Sequence, residues 1–242
     1  MAKSVNQKMI ARIIGKAKDF TSRFSNQTFV KYLANKGIAI GGGTEFRPFS
    51  TEIDLSRPSL VTIGNNCYFN KNFTLLTHDW VTRVFIYSGR EFLPSSGRVT
   101  IGNNVSTGYN VTILKGVTIG DNVFIGANSV VTKDIPSNSI AVGSPCKVVM
   151  SLDDYFSKRT TRCVTEALDY AKSIQQRYGR KPVVADFREE FVLFIDGDKI
   201  DEYPEIKELI KSQLGPSYND YVKNHKAVFP GFEAFLEAAG IK

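Results

Sequence analysis

Residues Val99 to Pro136 read VTIGNNVSTGYNVTILKGVTIGDNVFIGANSVVTKDIP, and within them Ile101, Thr107, Ile113, Ile119, Ile125 and Val131 recur at every sixth position. Val105, Val111, Val117, Val123, Ser129 and Ile135 form a second series four residues later, and Gly102, Gly108, Gly120 and Gly126 directly follow members of the first. A helix repeats its apolar positions near 3.6 residues and a half-buried strand near 2, so a strict period of six belongs to a repeat architecture. It predicts a solenoid. Three short β segments turn a coil of roughly eighteen residues, each pointing an apolar residue inward before Gly or Asn rounds a corner. The glycines, with Asn103, Asn104, Asn110, Asn122 and Asn128, are expected to supply turns of positive φ.

The same frame extends upstream through Ile63, Cys67, Phe69, Phe73 and Leu75. One coil cannot bury its own core, and each inward Ile or Val contributes only ~1.5–3 kcal/mol when fully buried, so several coils have to stack. Between the two parts of the frame stand His78, Asp79, Trp80 and a run to Arg98 without the six-residue period. Residues 79–98 therefore read as a loop extruded from a coil, and such insertions in repeat proteins map to binding faces. His78, one of two histidines in the chain, stands at its mouth. From Gly37 to Thr62 the β character is present in a looser frame, and Gly41-Gly42-Gly43 lacks the Lys-Ser/Thr and helix start of a phosphate loop, so it reads as a corner.

The solenoid is thus expected over residues 37–150, flanked by two other segments. Residues 1–36 read as helical, with Met9, Ile10, Ile13, Ile14, Ala17, Phe20 and Phe24 on one side and basic residues on the other. That stripe is expected to pack across the end or side of the solenoid, with peripheral contact to an anionic membrane as the alternative. Residues 151–242 read as a helical C-terminal domain, with helices near Thr161–Tyr178, Glu205–Leu214, Tyr218–Lys226 and Gly231–Ala239 and a short apolar run Phe191–Ile195. His225, in a polar stretch of that domain, reads as a surface residue.

No apolar run is long enough to span a bilayer and no signal-peptide pattern opens the chain, so the expectation is a cytoplasmic protein. Cys67, Cys146 and Cys163 show no CxxC spacing and fit reduced thiols. A formal charge of +7 suits an anionic ligand. Nucleic acid is a poor fit, because the basic residues look dispersed and no binding motif accompanies them.

The six consecutive repeats, the loop extruded behind a histidine and the closing segment from Ile125 through Pro136 to Gly143-Ser144-Pro145-Cys146-Lys147 resemble the hexapeptide-repeat acyltransferases over about residues 38–150. The resemblance implies a left-handed parallel β-helix, with an N-terminal helix and a helical C-terminal domain outside the shared core. It implies acetyl-CoA as acyl donor, no metal, a homotrimer with sites between neighbouring helices, and a hydroxyl of a sugar or surface-polysaccharide precursor as acceptor. Carried over by position, it makes His78 catalytic and places Asn70 against the acceptor. It places Ala127, Thr132 and Lys133 along the coenzyme A groove, Lys147 near its phosphates, and Tyr109 at a further cofactor-lining position often held by a small residue. Asp79 and Trp80 are added as acceptor-binding candidates from their place at the loop mouth.

Histidine suits removal of a hydroxyl proton because its pKa lies near neutrality, and a backbone N–H of a neighbouring coil could face the oxyanion. Asp79 is one candidate to orient the imidazole, although adjacent side chains on a β segment point to opposite faces. Trp80 fits stacking on a sugar or anchoring of the loop equally. A β-helical zinc enzyme would need three histidines, and a nucleotidyltransferase would need a further domain for which there is no room. A non-catalytic β-helical scaffold that binds a partner remains the alternative.

Overall fold

The computed structural model describes residues 14–242. The chain divides into two compact units, Met1–Tyr155 and Phe156–Lys242. In the first, a helix over residues 14–22 (α1) precedes α2 (Asn26–Asn35). Ser25 caps α2 reciprocally with Thr28, its hydroxyl taking the Thr28 N–H at 3.1 Å. The strands follow as β1 (Ala39–Ile40), β2 (Glu52–Ile53), β3 (Val61–Ile63), β4 (Thr74–Leu75), β5 (Val99–Ile101), β6 (Val105–Thr107), β7 (Thr112–Ile113), β8 (Thr118–Ile119), β9 (Val123–Ile125), β10 (Val130–Val131), β11 (Ser139–Val142) and β12 (Lys147–Ser151).

These strands form three four-stranded sheets that the chain visits in rotation. The first face is β1-β3-β5-β8, the second β12-β11-β9-β6 and the third β10-β7-β4-β2. Among the described strands every pairing is parallel except β11 with β12, where the chain folds back on itself. Ile101 pairs with Ile119, Thr107 with Ile125 and Ile113 with Val131, each eighteen residues on, as the six-residue period requires. This is a parallel β-helix. Both apolar series of the repeat, Thr107 and Ser129 included, lie in its buried interior. Ile63 pairs with Ile101 and Leu75 with Ile113, so the register on both faces steps across the insertion without a slip.

The corners depart from expectation in an informative way. Asn104, Asn110, Asn122 and Asn128 take positive φ, as do Asn66, Asn72 and Asn138, but Asn103 does not, and neither do the four glycines of the repeat. Those glycines are required by close stacking instead. A Cβ on Gly108 would lie 2.5 Å from the Ala127 nitrogen on the next coil, and one on Gly64 would lie 2.5 Å from the Gly102 oxygen. Asn103 belongs to a ladder along the stack, its Oδ1 accepting from the Asn65 side chain at 2.9 Å. Similar amide ladders join Asn72, Asn110 and Asn128, and Asn104, Asn122 and Asn138.

The start of the β-helix is closed by α2 rather than by the expected stripe. Phe29 and Leu33 are buried in its core, and an aromatic column runs from Phe29 to Phe46 (5.6 Å), Phe69 (5.0 Å) and Phe73 (4.3 Å). Ile14, Phe20 and Phe24 are exposed, while Met9, Ile10 and Ile13 lie outside the described residues. The break at residues 23–25 separates the two helices, so the residues that cap the core come one element later than the helical spacing suggests.

The second unit holds its own core, from Ala167 and Ala171 through Phe187, Phe191 and Phe194 to Phe235 and Ile241. Its long helix α4 (Leu152–Tyr178) begins nine residues before the expected Thr161, with Asp153 and Asp154 in its first turn. It is followed by α5 (Pro204–Leu214), α6 (Tyr218–Asn224) and α7 (Phe232–Ala238). The apolar run Phe191–Ile195 enters the core from a 3-10 helix, Glu190–Leu193, with Phe191, Leu193, Phe194 and Ile195 buried. His225 is half-buried rather than superficial, because its Nε2 meets the Val192 carbonyl at 2.7 Å and its ring stacks on Tyr221 at 4.4 Å. No described helix is long and apolar enough to cross a membrane.

Candidate functional site

Each turn of the β-helix passes one corner between the third and first faces. From the start of the stack upward that corner carries Asp54 after β2, His78 after β4, Lys115 after β7, and Thr132 and Lys133 after β10. Stacking at about 4.8 Å per coil brings residues distant in sequence onto one edge. His78 is 21 % exposed and Asp54 only 9 %.

The Nδ1 of His78 lies 2.5 Å from Oδ2 of Asp54, with Ser56 Oγ at 3.2 Å. Asp54 also accepts from the Thr77 N–H at 3.1 Å, from the Thr77 hydroxyl, and from the Ser56 N–H at 2.9 Å. Burial pushes its carboxyl up, but the hydrogen bonds from Thr77, Ser56 and His78 outweigh burial and hold it well below the usual carboxylate range. Asp54 is therefore an anion, and an anionic carboxylate only accepts, so the proton between the two groups sits on Nδ1. In the neutral ring this places the lone pair on the other nitrogen, Nε2, which meets no partner among the described residues.

Asp79 does not orient the ring. Its Oδ2 pairs with Lys115 Nζ at 2.8 Å and accepts from Ser95 Oγ at 3.0 Å, while its Oδ1 takes the Val81 N–H at 3.0 Å. The Lys115 bond, with help from the Val81 amide and Ser95, brings its pKa down to about 2. Lys115 also bonds Ser95 Oγ. These contacts close the neck of the insertion, where His78 and Ser96 form an antiparallel bridge and the Gly97 N–H meets the Thr77 carbonyl at 3.0 Å. The expected loop contains a short helix, α3 (Val81–Tyr87). Trp80, 72 % exposed, lies with its ring 6.1 Å from the His78 ring. Both line an open cleft of roughly 430 Å³ together with Glu52, Ile53, Asp54 and Leu75.

Within one chain the candidates fall into three groups. His78, Asp79 and Trp80 share the corner between the third and first faces with the exposed Thr132 and Lys133. Asn70, Tyr109 and Ala127 stack at the corner between the second and third faces, where the Asn110 N–H meets the Lys71 carbonyl and the Asn128 N–H the Tyr109 carbonyl. Lys147 opens β12, at the edge of the second face. Asp54, Ser56 and Lys115 were not singled out from sequence. Asp54 lies in the looser frame, where Ile53 pairs with Leu75 across twenty-two residues rather than eighteen, so a count of six does not align it with His78. Aligning inward residues on Leu75 backwards would have placed a carboxylate one coil beneath the histidine.

The bacterial transferase hexapeptide (six repeats) family model matches residues 98–133. Protein CapG of Staphylococcus aureus is 36 % identical over 153 residues, covering 63 % of this chain and 86 % of CapG. Galactoside O-acetyltransferase of Escherichia coli (strain K12) is 47 % identical over 95 residues, covering 39 % of this chain and 45 % of that protein. Among solved structures, a galactoside acetyltransferase in complex with coenzyme A matches at a TM-score of 0.41 with 29 % identity, over 60 % of this chain and 82 % of that one. The repeat model falls on the coils that build the β-helix, and the match to CapG runs over most of that relative's length. On these grounds the chain belongs to the hexapeptide-repeat acyltransferases.

Proposed function

We propose that the protein is an acetyl-CoA-dependent O-acetyltransferase that modifies a hydroxyl of a sugar or surface-polysaccharide precursor, with His78 as general base. The observation that carries this reading is the pairing of His78 Nδ1 with the half-buried, ionised Asp54 at 2.5 Å, which leaves Nε2 as the basic nitrogen at the open cleft. Nε2 takes the proton of the acceptor hydroxyl as its oxygen attacks the acyl carbon, and returns that proton to the departing sulfur. Asp54 stabilises the imidazolium formed in between and fixes the ring's orientation, the part a carboxylate plays in other His-Asp pairs. Acetyl-CoA supplies the acyl group as a thioester. The exposed ammonium group of Lys147 fits its phosphates, and Thr132 and Lys133, on the same edge as His78, fit the groove that holds it.

The separation of the candidates over two corners supports a homotrimer whose sites form between copies, one presenting the His78 corner and the next the corner of Asn70, Tyr109 and Ala127. We read the β-helix as left-handed and the enzyme as cytoplasmic, in keeping with the family resemblance and the free cysteines.

Release of thiol from acetyl-CoA in the presence of nucleotide sugars, oligosaccharides and free sugars tests the activity. Turnover by His78→Ala within threefold of wild type would remove the histidine from the mechanism. Mixed assemblies of His78→Ala and Asn70→Ala chains test the shared site. Each variant alone is expected to be impaired, and refolding them together should restore part of the activity if one copy supplies each residue. Sedimentation of the wild type as a monomer at micromolar concentration would contradict the arrangement.

A further inference from the structure

The N-terminal end of the first unit carries an exposed aromatic cluster that the acyl-transfer site does not use. Phe20 of α1, Phe24 of the break that follows it and Phe49 of the 3-10 turn Pro48–Ser50 are 59 %, 67 % and 62 % exposed. Their rings contact one another edge to face, with centroids 5.4, 5.8 and 6.3 Å apart. The cluster is held in place from beneath. The Arg23 guanidinium donates to the Pro48 carbonyl at 2.5 Å and the Thr51 carbonyl at 2.9 Å, tying the helical segment to the turn that bears Phe49. A constellation fastened by a charged side chain and still presenting three phenyl rings to solvent is a built surface, beyond the scattered apolar exposure that is ordinary on proteins.

Charge says what covers it. Residues 1–36 contain eight of the 31 basic side chains and one of the 24 acidic ones, so they hold the whole formal excess of +7, and the other 206 residues are balanced at 23 of each sign. The basic residues are therefore concentrated, where a first look along the chain finds them dispersed. Lys16 and Lys18 are exposed beside the cluster, and the one acidic residue, Asp19, is paired with Arg23 at 3.3 Å. Apolar rings bordered by lysines match the two parts of an anionic bilayer surface, acyl chains at headgroup depth and negative headgroups above them.

We infer that the Phe20, Phe24 and Phe49 cluster, with the exposed Lys16 and Lys18, docks the protein on anionic phospholipid bilayers. The inference does not depend on which acceptor is acetylated. Co-sedimentation of the full chain with vesicles tests it, comparing phosphatidylcholine alone with phosphatidylcholine containing phosphatidylglycerol. The expected result is binding to the phosphatidylglycerol vesicles only, weakened by added salt. Phe20→Ser/Phe24→Ser/Phe49→Ser and, separately, Lys16→Glu/Lys18→Glu are expected to lower partitioning on the order of tenfold each. None of the five residues belongs to the buried core, and thermal unfolding of both variants checks that they fold. Absence of wild-type binding, or equal binding by a folded triple Phe variant, would overturn the inference. So would loss of assembly mass in the triple Phe variant together with no wild-type vesicle binding, which would make the cluster a contact between copies.

Discussion

The chain's two histidines stand in regions that look alike at first and differ where it counts. Each ring is half-buried, and each has one nitrogen held by a close oxygen, at 2.5 Å for His78 and 2.7 Å for His225. The oxygen facing His78 belongs to an ionised carboxylate fed by two other residues, and the ring borders a cleft with an exposed tryptophan. The oxygen facing His225 belongs to the Val192 backbone, and the ring face is covered by Tyr221. A carboxylate stabilises a charged imidazole in a way that a neutral carbonyl matches only weakly, so the first arrangement suits proton transfer and the second suits holding two segments together. Burial and one hydrogen bond do not by themselves mark a functional histidine. The charge of the partner does.

The contrast breaks most visibly under paired substitution. His78→Ala is expected to lower kcat for acetyl transfer by ~10²–10⁴-fold with the fold intact, whereas His225→Ala should leave kcat within about threefold and cost ~1–2 kcal/mol of stability. Steady-state kinetics and urea unfolding of both variants decide it, and equal kinetic effects would erase the distinction.

Asp54→Asn sharpens the role of the partner's charge. It is expected to reduce kcat by ~10²-fold with little change in KM, because the amide no longer stabilises the imidazolium. The pH dependence carries a sign. The folded-state pKa of Asp54 lies below its unfolded value, so its stabilisation is fully present above the unfolded carboxylate value of ~3.9 and is lost as pH falls through the folded one. The stability difference between wild type and Asp54→Asn should therefore shrink as the pH falls below about 4, by urea titration at each pH. A difference that does not change across that acid range would mean that the carboxylate is not held low.

Smaller effects are expected farther from the ring. Lys147→Ala should raise KM for acetyl-CoA about three- to tenfold with kcat nearly unchanged, and an unaltered KM would remove Lys147 from the phosphates. Lys115→Ala leaves Asp79 and Ser95 without their shared cation at the loop neck. It should raise KM for the acceptor by about two- to fourfold and speed limited proteolysis between Val81 and Arg98.

What the sequence made legible follows from where its period is strict. Between Ile101 and Val131 a count of six identifies every inward residue, since parallel coils repeat the same environment each turn, and Thr107 and Ser129 join the core because position outranks polarity there. The period locates His78 equally well, as the point where it stops. It is silent on Asp54, because the earlier coil is longer, and on Lys115, whose partner Asp79 is reached only through the folded neck of the insertion. The helical spacing of the N-terminal stripe predicted burial that α2 provides instead, since a capping helix needs the right distance from the first coil as well as an apolar side.

The neck itself has a consequence for how such a protein changes over time. Thr77 bonds Gly97 directly, Ser96 bridges His78, and the pairings of Ile63 with Ile101 and Leu75 with Ile113 pass the insertion in unbroken register. To the strand register of the coils, residues 79–95 are invisible. A segment anchored that way can be shortened, lengthened or exchanged for another while the histidine and the stack beneath it stay where they are, which under the function proposed above makes the insertion a graft site at which new acceptors can be tried on an unchanged catalyst.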